Sequence, residues 1–227
     1  MGADERGEGG GRGRGLSPPQ NVGFSTAHYL VVEDDPVLAQ ALCRFLRTTG
    51  AKATAASTIA GAMASIGAGA PIDGLLLDVG LPDGSGLELL AAARARGVHA
   101  PALVLTGHHD TDTLAAAQLH GAQFLPKPPR EENLRAFIDA TLEFRRVTRS
   151  RLDELVAEWA AKYGLTPREE EVLLLTCTGV ARGDLAGELG VQETTIRTTV
   201  RRLLRKAGQF SLGDLTAKVH RELFGHE

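Results

Sequence analysis

Ile72-Asp73-Gly74-Leu75-Leu76-Leu77-Asp78 runs directly into Val79-Gly80-Leu81-Pro82-Asp83-Gly84-Ser85-Gly86. A short apolar run bounded by turn residues reads as a buried strand, and the Gly- and Pro-rich continuation as a tight loop, so Asp78 is a carboxylate at a strand's C-terminal end. Three other apolar runs end in matching chemistry. Tyr29-Leu30-Val31-Val32 ends in Glu33-Asp34-Asp35, Ala102-Leu103-Val104-Leu105 ends in Thr106, and Phe124-Leu125-Pro126 ends in Lys127 before Pro128. In an open parallel sheet the carboxyl ends of the strands share one edge, where ligands bind. An acidic cluster, an aspartate, a hydroxyl and a lysine are therefore expected to converge there.

That set suits a carboxylate that accepts a phosphoryl group. Glu33, Asp34 and Asp78 offer hard oxygens to Mg²⁺, which takes one or two carboxylates plus phosphate oxygens and keeps several waters. With the incoming charge neutralised, a carboxylate can act as covalent nucleophile, and Lys127 supplies a compact cation for the transferring oxygens. Thr106 can donate to the same group. Simpler roles compete at single positions: Asp35 before Pro36 suits the start of a helix, where acids are favoured. His108-His109-Asp110 could suggest a metal cluster, but consecutive residues seldom aim at one ion, and a loop following Thr106 is the expectation.

From His28 to Pro128, apolar runs alternate with helical patterns in βα order. This implies five parallel strands with helices on both faces, a flavodoxin-like doubly wound sheet. At 227 residues the chain suits two domains and a connector, since domains usually run roughly 100–200 residues. The expected division is a disordered tail over 1–27, an α/β domain over 28–146, a connecting helix over 147–163 and an all-α helix-turn-helix domain over 164–227. The tail begins Met-Gly-Ala-Asp-Glu-Arg-Gly-Glu-Gly-Gly-Gly and lacks apolar periodicity, so it has too little surface to bury to offset its ordering entropy. No apolar stretch approaches the roughly 18 residues that span a bilayer, and a cytosolic protein with no membrane partner is expected. Cys43 and Cys177 fall in helical apolar patterns in different domains, where a buried thiol is the ordinary reading.

Net charge is −3, yet it is unevenly spread: Arg197 to Lys206 holds five basic residues and no acid, while His28 to Pro128 holds nine acids against six bases. Leu134, Phe137, Ile138 and Leu142 form one helical stripe, and Leu152, Leu155, Val156, Trp159 and Tyr163 a second. No Gly or Pro interrupts 130–163, so a stiff connector is expected. Its second stripe either packs on the C-terminal domain or pairs with another protomer. Thr166-Pro167-Arg168-Glu169 is a capping box with Pro at the first helical position. A short helix over 183–189, a turn at Gly190-Val191-Gln192 and a longer helix from about Glu193 to Ala207 then make a helix-turn-helix, whose second helix enters the major groove. Ile196, Val200, Leu203 and Leu204 face inward. Arg197, Arg201, Arg202, Arg205 and Lys206 are left outside as candidate DNA contacts.

From His28 to Arg146 the chain closely resembles the receiver domain of two-component response regulators. The matching pieces, in order, are Val-Val-Glu-Asp-Asp-Pro, Leu-Leu-Leu-Asp-Val-Gly-Leu-Pro-Asp-Gly-Ser-Gly-Leu-Glu, Leu-Thr-Gly and Leu-Pro-Lys-Pro. The resemblance implies that Asp78 is the phosphoacceptor, that Glu33 and Asp34 are metal acids, and that Gly80 lends its backbone carbonyl to Mg²⁺. It further implies that Thr106 is the switch hydroxyl, Lys127 the phosphate contact and Phe124 the switch aromatic, with a cis Lys127-Pro128 bond. The C-terminal segment resembles the LuxR-type output domain through Leu-Thr-Pro-Arg-Glu-Glu-Glu-Val-Leu, Leu-Ala-Gly-Glu-Leu-Gly-Val, Thr-Ile-Arg-Thr and the terminal helix from Gly213. Together they resemble the NarL/FixJ class, which implies base reading at Arg197 with neighbouring contacts at Thr198 and Arg201. Thr199 stands where the family commonly has His, and Arg182-Gly183-Asp184 replaces an Asn-Lys-Glu-like turn. The expected function is a DNA-binding regulator controlled by a histidine kinase, dimerising on promoter DNA with inverted half-sites. A receiver that serves only as an interaction module is the alternative. A phosphoaspartyl phosphatase is disfavoured, because Glu33-Asp34-Asp35 lacks the Asp-x-Asp spacing of that group.

Overall fold

The computed structural model describes residues 26–68, 71–107 and 121–225. The expected N-terminal tail and His108-His109-Asp110 lie outside the described residues. Strands β1 (His28–Val32), β2 (Lys52–Ala56), β3 (Gly74–Asp78), β6 (Ala102–Thr106) and β7 (Gln123–Pro126) form one parallel sheet in the order β2-β1-β3-β6-β7. A short hairpin, β4 (Gly80–Leu81) with β5 (Gly84–Ser85), follows β3. β3 is central, and its Leu75 to Asp78 pair in register with Ala102 to Leu105.

Every residue of β3 and β6 is buried, which suits central parallel strands covered on both faces. Successive side chains point to opposite faces, and the core divides accordingly. Tyr29, Val31, Leu76, Leu103 and Leu105 pack with α1 (Pro36–Thr48) and the start of α4 (Glu131–Tyr163). Leu30, Val32, Leu75 and Leu77 pack with α2 (Ile59–Gly67) and α3 (Gly86–Ala95).

Local capping starts α1, α2 and α3. Asp35 Oδ1 accepts from Val37 N at 2.8 Å, so Asp35 has the helix-starting role expected of it. Ser85 and Glu88 make a capping box on α3. Helix α2 takes a cap from outside its own segment: Asp83, in the loop after β3, accepts from Ile59 N at 2.8 Å and Ala60 N at 3.0 Å. These backbone bonds hold the Asp83 carboxyl below its ordinary pKa.

Helix α4 is 33 residues long and closes on Gly164 with φ 60°. The two expected stripes lie on this one uninterrupted helix. Leu134, Phe137, Ile138 and Thr141 are buried against the sheet, and Leu152, Val156 and Trp159 against the C-terminal domain. Thr141, and not the expected Leu142, takes the buried position. Thr141 Oγ1 donates to Phe137 O at 2.9 Å, so its hydroxyl is satisfied within the helix, while Leu142 is 46% exposed. Between the stripes, Arg145 pairs with Asp73 at 3.3 Å. The remaining helices are α5 (Pro167–Cys177), α6 (Leu185–Glu188), α7 (Glu193–Ala207) and α8 (Leu212–Phe224). Val172, Leu173, Ile196, Val200, Leu203, Leu215 and Val219 enclose the last turns of α4, so the second stripe packs on the C-terminal domain. Cys43 and Cys177 are both buried free thiols. Among the described residues no helix is long and apolar enough to cross a membrane.

Candidate phosphoacceptor site and DNA-reading helix

The carboxyl edge of the sheet gathers the expected chemistry. Glu33, Asp34 and Asp78 each offer a carboxylate oxygen within 4.8 Å of the others. Lys127 Nζ lies 2.8 Å from Asp78 Oδ2 and 2.7 Å from Glu33 Oε2, and donates to Glu33 Oε1 at 2.8 Å. The second Glu33 oxygen is buried and takes no hydrogen bond of acceptable geometry, although the ammonium sits beside it. Burial raises the pKa of Glu33, with the Asp78 charge adding to it, against the opposing pull of Lys127. Burial alone would lower the pKa of Lys127, but its hydrogen bonds to Asp78 and Glu33 outweigh that and carry it upward. Two acids share one cation here, leaving an under-satisfied hard oxygen beside an exposed Asp34. That donor set suits an oxygen-seeking divalent cation such as Mg²⁺.

Backbone bonds at the strand ends lock these groups in place. Lys127 N donates to Thr106 O at 2.7 Å and Val79 N to Leu105 O at 3.2 Å. Thr106 is buried at the end of β6, opposite Pro126, and Phe124 on β7 is half-buried. The Lys127-Pro128 bond is cis. Gly80 N donates to Asp78 Oδ1 at 3.3 Å, so Gly80 adjoins the cluster.

Gly86 bears a constraint that its place in a Gly-rich loop does not reveal. Its amide donates to Val79 O at 3.0 Å, and a Cβ added there would sit 1.9 Å from the carbonyl oxygen of Asp78. No side chain fits between that oxygen and the start of α3. Gly86→Ala is expected to displace the Asp78 backbone, cost about 1–3 kcal/mol as overpacking, and slow phosphoryl acceptance. Urea unfolding and intact-mass labelling of the same preparation check both parts.

In the C-terminal domain, α6, a turn with Gly190 at φ 61° and α7 make the helix-turn-helix. Arg168 Nη2 donates to Leu189 O at 2.8 Å and pins that turn. Ile196, Val200 and Leu203 are buried, while Leu204 is only partly so. Arg197, Thr198, Arg201, Arg202 and Arg205 are exposed along the other side. Thr198 and Thr199 hydroxyls donate back to Thr194 O at 3.0 Å and Thr195 O at 2.9 Å.

Lys206, expected as a phosphate contact, is exposed like these arginines and also holds two partners within the domain. Its Nζ donates to Gly164 O and to Glu169 Oε2, both at 2.7 Å, and Glu169 is 2% exposed. Glu169 Oε2 also accepts from Thr166 N at 2.8 Å, within the capping box of α5. A buried carboxylate attracts the nearest cation, and Lys206 lies on the flank of α7 within its reach. Burial raises the Glu169 pKa, but the hydrogen bonds from Lys206 and Thr166 prevail and hold it below its ordinary 4.5. Stabilisation from a depressed carboxyl is present above the unfolded pKa and is lost as pH falls through the folded one. Glu169→Gln should therefore flatten the acid limb of stability below about pH 4.5 and cost about 1–3 kcal/mol at neutral pH. Urea unfolding across a pH series measures both.

Two domain families match this arrangement: the response regulator receiver domain over residues 29–139, and the bacterial regulatory proteins, luxR family, over residues 164–219. Transcriptional regulatory protein FixJ of Azorhizobium caulinodans is 32% identical over 82% of this chain and 88% of its own length. Nodulation protein W of Bradyrhizobium diazoefficiens is 32% identical over 82% of each chain. Among solved structures, response regulator StyR is 29% identical with a TM-score of 0.51, covering 87% of this chain and all of that one. A CheY-like receiver from Methanospirillum hungatei, 24% identical with a TM-score of 0.50 over 54% of this chain and 98% of its own, bears on the fold alone. The chain belongs to the two-component response regulators of the NarL/FixJ class, with a receiver joined to a LuxR-type DNA-binding domain. It is a DNA-binding transcriptional regulator, not an enzyme, and this pairing of domains implies a histidine kinase and double-stranded DNA as partners.

Proposed function

We propose that Asp78 is the phosphoryl acceptor of this regulator, and that its phosphorylation promotes homodimeric binding to promoter DNA in the cytosol. The observation that carries the reading is the convergence of Glu33, Asp34 and Asp78 within 4.8 Å, with Lys127 on Asp78. In the transfer, a carboxylate oxygen of Asp78 forms the new O–P bond while the N–P bond of the kinase's phosphohistidine breaks, and the imidazole leaves. Lys127 holds the transferring oxygens, and Thr106 donates to them. Glu33, Asp34, Asp78 and the Gly80 carbonyl would hold Mg²⁺, which supplies charge neutralisation for the approaching phosphate. The division into a receiver over 28–146, a connecting segment over 147–163 and a DNA-binding domain over 164–227 follows these roles, with the first boundary inside α4.

Switching rests on Thr106 and Phe124. A Thr106 hydroxyl drawn toward the phosphoryl group vacates space that half-buried Phe124 can enter, which changes the face built by β6 and β7. Phe124 carries no hydroxyl, so this ring signals by packing alone. Thr106→Val keeps the shape and removes the donor. It should accept phosphate yet lose most phosphate-dependent dimerisation, as read by sedimentation velocity with and without acetyl phosphate. Undiminished dimerisation would contradict the switch.

On DNA, Arg197, Thr198 and Arg201 read bases from the N-terminal part of α7, while Arg202 and Arg205 hold phosphates. A two-fold dimer would read inverted half-sites about one helical turn apart.

A further inference from the structure

We infer that Lys206 is a positioning residue for DNA recognition, which bolts the C-terminal turn of α7 to the end of the connecting helix and lies off the DNA backbone. This rests on the reading of α7 as the recognition helix. Two of the three donors of the ammonium are taken at 2.7 Å, one by the Gly164 carbonyl and one by the nearly buried Glu169 carboxylate. Gly164 is the left-handed residue that ends α4, and Glu169 belongs to the capping box that starts α5. One cation thus ties together three helices: the connector that arrives from the receiver, the first helix of the DNA-binding domain, and α7.

Helix geometry puts Lys206 on the flank of α7, about 40° from Arg202 and far from Arg197. At 3.6 residues per turn, Lys206 lies about 180° around the α7 axis from Arg197 and about 140° from Arg201, while Arg205 lies only about 80° from Arg197. An ammonium held by two partners in the fold follows a phosphate outward only by giving up those bonds. Release would leave the Glu169 carboxylate buried with only the Thr166 amide and hydroxyl near it. An exposed phosphate contact is screened by salt, whereas a carboxylate deprived of its cation inside the fold is not. The paired arrangement is therefore the one retained on DNA. Its consequence is functional: the pitch at which Arg197 and Arg201 meet the groove is set from the far flank of the helix, by a residue connected to α4.

The test uses the full-length protein, treated with acetyl phosphate and Mg²⁺, on a duplex selected from a random pool and on unselected duplex. Binding is measured at several salt concentrations and at a temperature where unfolding curves show every variant folded. Lys206→Met keeps the aliphatic stem and removes the ammonium, and Glu169→Gln removes the anchor while keeping all cations. In the positioning role, both variants lose about tenfold in affinity for the selected site, and the double variant loses no more than either alone. Their salt slopes stay at the wild-type value. A phosphate contact gives the opposite pattern: Lys206→Met lowers the slope by about 0.9 on both duplexes, and Glu169→Gln binds as well as wild type or better. That outcome overturns the inference.

Acetic anhydride labelling of the wild type, followed by peptide mass spectrometry, decides the matter without variants should either fail to fold. Equal labelling of Lys206 with and without DNA supports its place off the DNA backbone, and protection by DNA overturns it. If the random pool yields no preferred duplex, it is the reading of α7 as a base-reading helix that fails, and the labelling result alone judges Lys206.

Discussion

Acetyl phosphate with Mg²⁺ is expected to add one phosphate to the wild-type protein and none to Asp78→Asn, as read by intact mass. The effect is all or nothing, because the amide is a poor nucleophile and a poor metal ligand. The substitution should leave the fold intact: the Asp78 side chain contributes an ion pair at the edge of the sheet, and β3 is held by its backbone ladder and by Leu75, Leu76 and Leu77. Lys127→Ala removes the cation shared by Asp78 and Glu33. It should retain the fold and lose the phosphate-dependent response. Equal labelling of wild type and Asp78→Asn would move the acceptor elsewhere.

Arg197→Ala is expected to flatten the preference for a selected duplex over random DNA. A bidentate arginine–guanine contact is worth about 1–3 kcal/mol of discrimination, which is roughly a five- to 150-fold loss in the specificity ratio. Arg205→Ala should instead weaken both duplexes alike and reduce the salt slope by about 0.9. Arg197 and Arg205 share the exposed side of α7, and in the proposed docking only Arg197 lies in the N-terminal turn, the part of a recognition helix that enters the groove most deeply. Titrations at several salt concentrations separate the two behaviours. An Arg197→Ala protein with its specificity ratio unchanged would remove Arg197 from the list of base readers.

The sheet and most of its active edge could be read before any coordinates, because each chemical group ends its own apolar run. Strand-end position is a local property, and parallel pairing then delivers Glu33, Asp78, Thr106 and Lys127 to one edge without further information. The helix-turn-helix was legible for a similar reason, since its caps and turn carry their own residue signatures. What escaped the sequence reading depended on distant partners. Asp83 capping α2 joins residues more than twenty positions apart, and nothing in the local pattern of either segment signals it. Gly86 was read only as part of a tight loop, and the approach of the Asp78 carbonyl shows that a side chain is excluded. Leu142 and Thr141 exchanged burial because an intrahelical bond satisfied the threonine hydroxyl, which hydropathy does not register. Lys206 was grouped with its basic neighbours by charge, and its bond to Glu169 joins it to another helix. That pair had a faint signal: the capping-box glutamate predicts a buried carboxylate, and such a carboxylate needs a cation.

The most direct test of the account is the affinity of full-length wild type and Asp78→Asn for a selected duplex, titrated with and without acetyl phosphate and Mg²⁺ at fixed salt. Wild type is expected to bind more tightly when phosphorylated, while Asp78→Asn binds with one affinity under both conditions. If the two proteins bind equally and neither responds to the phosphoryl donor, the receiver does not control DNA binding through Asp78, and the account is wrong.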